Sequence, residues 1–133
     1  MSTEQRCGRD TGSVSVMLTM LMVVMLAGAG LVVDGGRAMA ARRHASNTAE
    51  AAARAAVSTG TPLTSFDHAR ARSIAVDHAV RAGIEPADVE VRVDAESVTV
   101  TITERRDTVF LVLGGAETMT VHASGTATLV YSP

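Results

Sequence analysis

Val14 to Val33 reads VSVMLTMLMVVMLAGAGLVV, and this stretch decides the architecture. No charged residue lies between Asp10 and Asp34. At ~1.5 Å per residue, twenty helical residues rise about 30 Å, the thickness of a bilayer's hydrocarbon core. Only Ser15 and Thr19 are polar, and hydroxyls can return their hydrogen bonds to the helix backbone. A core helix of a soluble protein would carry a polar stripe, and none is present. Gly28 and Gly30 fit a membrane helix, where glycine is commoner than in soluble ones. A transmembrane helix is therefore expected over 13–33.

A cleaved secretory signal is the competing reading. Ala27-Gly28-Ala29 and Ala38-Met39-Ala40 offer small-x-small cleavage patterns. Against it, Glu4 and Asp10 offset Arg6 and Arg9 in the leading segment, and the apolar run continues through Leu31, Val32 and Val33. Orientation read from charge alone points inward. Arg37, Arg42, Arg43 and Arg54 outnumber Arg6 and Arg9, which favours a cytoplasmic C-terminal part.

Beyond the span, Asp34-Gly35-Gly36-Arg37 opens a stretch with no further glycine or proline until Gly60. Alanine fills half of the positions from Ala38 to Val57, and it is the best helix former. Ala38, Ala41, Ala45, Ala49, Ala52 and Ala56 step by three or four and form one small-residue stripe, expected to pack on the chain's own sheet. Glu50 and Arg54 are spaced for an i,i+4 pair. Span and stripe together predict a rod of about 66 Å, bent at Gly35-Gly36. Asp34 is expected to mark the membrane edge and to pair with Arg37.

Ser58 to Pro62 reads as a breaker. A second helix is expected from Ser65, with Thr64-Ser65-Phe66-Asp67 as a near capping box. Phe66, Ala69, Ser73, Val76 and Val80 form its apolar face, and Gly83 its C-terminal cap. The period then changes to two. Val89, Val91 and Val93, a turn at Ala95-Glu96, and Val98, Val100 and Ile102 predict a hairpin with one buried face. Val109 to Leu113 (VFLVL) is expected to be a short helix capping the sheet. A last strand should turn Met119, Val121, Ala123, Ala127 and Leu129 inward, with Gly125 as a bulge. The class is α+β: an N-terminal transmembrane helix running into a long Ala-rich helix, a second helix, and a three-stranded antiparallel sheet. The divisions are a tail (1–12), the span (13–33), the Ala-rich extension (34–57) and a small domain (58–133).

The chemistry is sparse. A net charge of −2, with no lysine, argues against nucleic acid. Cys7 is the only cysteine, which excludes an intrachain disulfide and a cysteine-based zinc site. Asp67-His68 and Asp77-His78 lie ten residues apart, about 80° out of phase on a helix, so they share no face for a metal. His44 and His122 stand apart from them. No nucleophile elbow or phosphate loop occurs. No catalytic residue, cofactor, metal or small-molecule substrate is expected.

RDTGSVSV, then LVVDGGRAMAARR after the apolar run, then NTAEAAARAAV, resembles the TadE/TadG-like pilus-assembly proteins of the Flp (tight adherence) type, particularly actinobacterial ones. The matching positions are Arg9, Gly12, Ser13 and Val16; then Val33, Asp34, Gly36 and Arg37; then Ala49 to Val57. The resemblance implies a single-span, pilin-like component of the plasma membrane, N-terminus in the cytoplasm and β-domain outside, against the arginine count. Its partners would be the lipid bilayer and other pilus-assembly or secretion subunits, met through the Ala-rich helix and the β-domain. It also makes Gly12-Ser13 a candidate processing site. Some relatives place a glutamate five residues beyond that glycine, where this chain has Met17, so an uncleaved anchor is expected. The alternative function is a secreted or membrane-anchored, non-enzymatic binding or regulatory domain.

Overall fold

A computed structural model describes residues 11–58 and 67–129. The expected capping box apart from Asp67, Phe66, and residues 1–10 of the tail with Arg9 lie outside these residues. Helix α1 (Thr11–Val57) runs unbroken for 47 residues. Gly35 and Gly36 are helical, so span and extension form the one continuous rod expected. The flanking residues explain this: 24 helical residues before the pair and 21 after it hold the ladder, and two glycines weaken a helix without ending it.

Helix α2 (His68–Arg81) is capped by Asp67, whose carboxylate accepts the Arg70 N–H at 3.1 Å. Its end follows the expected glycine signal. Gly83 adopts φ +89°, and the Gly83 and Ile84 amides return to Val80 and Ala79 at 2.9 and 3.1 Å. That pair of bonds is a Schellman cap, with Ile84 buried beside it. The apolar face of α2 is not the expected one. Ala71, Ala75 and Ala79 are buried, while Ala69, Ser73 and Val80 face outward. Small residues win because α2 lies close on the alanine stripe of α1, where bulk would not fit.

Strands β1 (Val89–Val93), β2 (Ser97–Asp107) and β3 (Thr118–Thr128) form an antiparallel meander in the order β1-β2-β3. Val91, Val98, Val100 and Ile102 point into the core, as the alternation requires. They meet Ala45, Ala49, Ala52, Ala53 and Ala56 of α1 and the three alanines of α2. The stripe therefore packs on the chain's own sheet.

Gly125 is not a bulge. The β2–β3 register runs without a slip from Ser97↔Thr128 to Asp107↔Thr118, with Gly125 opposite Val100. Its function is spatial: a Cβ there would fall 2.6 Å from the Ala49 carbonyl carbon and closer still to the Glu50 nitrogen. Sheet and helix touch backbone to backbone at this point.

Candidate functional site

The first half of α1 has little protein around it: among the described residues, the Val109–Gly114 run lies against it, at Gly30. From Val14 to Val33 its side chains are exposed, Met17 at 76% and Val32 at 75%. This is the one helix among the described residues long and apolar enough to cross a membrane. From Ala41 onward the same helix is the centre of the folded core.

Asp34 sits at the junction and is 1% exposed. Its two carboxylate oxygens accept three backbone amides from the β2–β3 connection: Val109 at 2.9 Å on Oδ1, Phe110 at 2.9 Å and Leu111 at 2.8 Å on Oδ2. The last of these opens a 3-10 turn, Leu111–Gly114. A buried carboxylate is costly unless hydrogen-bonded, and three amide donors supply that. The Val109 N–H, followed by those of Leu111 and Phe110, holds the Asp34 carboxyl below its ordinary value of 3.8; burial opposes them, and Arg37 adds a smaller pull. The expected Asp34–Arg37 ion pair is replaced by this clamp. Among the described residues Arg37 makes no hydrogen bond or ion pair and is exposed.

One turn earlier on the same face, Gly30 makes room for the ring of Phe110. A Cβ on Gly30 would lie 2.6 Å from both Cβ and Cγ of Phe110. Gly30 and Asp34, four residues apart, thus form a seat for the Val109–Leu113 run. The short helix expected there exists as the 3-10 turn, but it packs on α1 beside Gly30 rather than capping the sheet. Of the motif residues, only Asp34 makes such a contact. Val33 and Gly36 are exposed, and Gly12 and Ser13 lie exposed in the first turns of α1.

A second acid is buried at the end of β2. Glu104 follows Ile102 on the inward face at 7% exposure, and its Oε1 accepts from Nε and Nη2 of Arg106. Neighbouring Arg105 pairs with Asp88 at 2.7 Å. His122 shares a 3.1 Å hydrogen bond with Thr103 on the outer face of the sheet. Among the described residues, no three His, Cys, Asp or Glu side chains are grouped to hold a metal ion.

Sequence reasoning missed Gly30, Phe110, Glu104 and Gly125 as contact residues. One signal was present for the first two: an acid at the end of a span needs donors, and Gly30 lies four residues before it on the same face.

Residues 12–59 match the family model Tad, described as "Putative Flp pilus-assembly TadE/G-like". The match takes in the exposed apolar helix, Asp34 and the alanine stripe, and stops before α2. No curated protein matches the chain, and no solved structure does. Across residues 12–59, the chain is similar to the TadE/G-like proteins of Flp pilus assembly.

Proposed function

We propose that this protein is a single-pass, pilin-like structural or accessory subunit of a Flp/Tad-type pilus assembly or secretion apparatus, acting without catalysis. The observation that carries this reading is the single helix α1. Over residues 14–33 it is apolar and largely exposed, touched by the Val109–Gly114 run at Gly30, and from Ala41 to Val57 one face of it is buried by its own domain. Such a helix holds a folded domain rigidly against a bilayer, which is the requirement for a subunit that packs through its anchor. The family match over the same helix supports the assembly role.

The N-terminus is cytoplasmic and the domain extracytoplasmic in this reading, and Gly12-Ser13 stays uncut because Met17 replaces the glutamate of processed relatives. Both small-x-small sites lie inside unbroken helix, which favours a retained anchor over a removed signal. Partner subunits meet the bare helix in the membrane and the edge strand β3 outside it. Among the described residues β3 pairs on one side only, with β2, and it carries no charged residue. An edge of this kind accepts a further strand.

Deletion of the gene tests the role: surface pili or secretion should be lost, and intact pili in a clean deletion would overturn the assignment. The arginine count favours a second reading, a bitopic regulator with its domain inside. An export-dependent enzyme fused to the C-terminal end separates the two, since activity requires an exported domain.

A further inference from the structure

The β2–β3 connection has a surface unlike any other part of the domain. No charge occurs between Asp107 and Glu117, and Val109, Phe110, Val112 and Leu113 are all exposed, Leu113 at 87%. A run of exposed apolar side chains on an aqueous domain needs an explanation. Its position supplies one. Phe110 rests on Gly30, inside the span, and Leu111, Leu113 and Gly114 share an apolar recess of about 530 Å³ with Val23, Leu26, Ala27 and Leu31. Leu26 lies eight residues before Asp34, a rise of about 12 Å toward the membrane centre.

We propose that Val109–Leu113 is a second membrane contact, seated among the acyl chains of the leaflet on the domain's side. The proposal rests on the anchor reading of residues 13–33. If that helix lies in lipid, the turn docked beside it lies in lipid too, and its apolar face continues the helix's own.

The backbone is arranged for that environment. Irregular chain survives at membrane depth only where its polar groups find protein partners. The amides of Val109, Phe110 and Leu111 go to Asp34. Those of Leu113, Gly115 and Ala116 return to Phe110, Val112 and Leu111 at 3.0–3.1 Å. At the base of the turn, the Thr108 hydroxyl donates to the Ala116 carbonyl. Charges resume immediately outside the run, with Arg105, Arg106 and Asp107 before it and Glu117 after it. That sequence of charge, apolar tip and charge matches the step from headgroups to hydrocarbon and back. The Asp34 clamp thus fixes the domain at two points on the membrane, so that it cannot swing about α1.

The chain contains no tryptophan, so one introduced indole reports its own surroundings. Leu113→Trp is placed in the full-length protein, reconstituted at low density in phosphatidylcholine vesicles with and without bromine atoms midway along the acyl chains. Leu21→Trp in the span and Val80→Trp on α2 serve as references. Emission from Leu113→Trp should be blue-shifted and quenched by the brominated lipid to the extent seen for Leu21→Trp, with Val80→Trp unaffected. Quenching of Leu21→Trp alone would overturn the proposal and leave the anchor standing. A blue-shifted but unquenched Leu113→Trp, the sign of a second protein copy on the turn, would also overturn it. Loss of quenching at both positions would instead sink the anchor itself.

Discussion

Asp34 is the residue on which the junction turns. Its carboxylate stands in for the missing acceptors of three successive amides, which would otherwise be left without a protein partner. Because the folded-state value lies below the ordinary 3.8, the stabilisation is fully present above that value and is lost as pH falls through the lower folded one. The clamp therefore stays charged and closed throughout the neutral range and opens on acidification below the ordinary carboxylate value. Asp34→Asn should remove that acid transition. It should also speed hydrogen exchange at Val109, Phe110 and Leu111 roughly tenfold or more, since charge-assisted bonds exceed neutral ones. Mass spectrometry of deuterium uptake in the 107–117 peptide reads both effects; unchanged uptake would refute the clamp. Asp34 was legible as a motif residue, but its partners lie 75 to 77 positions away, and no local spacing can name them.

At the scale of elements, the contact between α1 and β3 sets how close the sheet can lie. Alanines at 45, 49, 52, 53 and 56 give the helix a flat side, and Gly125 removes the last obstruction from the strand. Neighbours at this point are backbone atoms, which cannot rotate aside. Gly125→Ala should therefore destabilise the domain by roughly 1–3 kcal/mol, the usual cost of overpacking. Urea titration followed by circular dichroism in detergent measures it, and a change within error would show that helix and strand lie farther apart. The alternation in β1, β2 and β3 was readable because a half-buried strand repeats every two residues. The faces of α2 were not. Val76 and Val80 are bulkier than Ala71, Ala75 and Ala79, yet proximity to an alanine-faced partner selected the small residues.

For the whole molecule, α1 joins two unlike halves: an apolar half that is largely exposed and a half that forms the core. The two halves tolerate change differently. Leu21→Arg places a charge near the middle of the span, at a cost of about 2.5–3.5 kcal/mol for insertion. It should move a measurable fraction of the protein from the alkali-resistant membrane pellet to the supernatant. Arg42→Leu, on an exposed face of the same helix beyond the span, should leave the distribution unchanged. Equal behaviour of the two variants would show that residues 13–33 do not reside in lipid.

By itself, the sequence determined the apolar helix, its alanine-rich continuation, the second helix, the three strands and the likeness to a pilus-assembly family over residues 12–59. Each of these is written in periodicity, composition or a contiguous motif, signals that act over one or two turns of chain. Only the tertiary structure decided what Asp34 binds, why Gly30 and Gly125 bear no side chain, and where the VFLVL run lies. Those outcomes depend on atoms brought within about 3 Å across dozens of residues, and hydrogen-bond and steric energies fall off too steeply for anything but the folded geometry to choose the pairs.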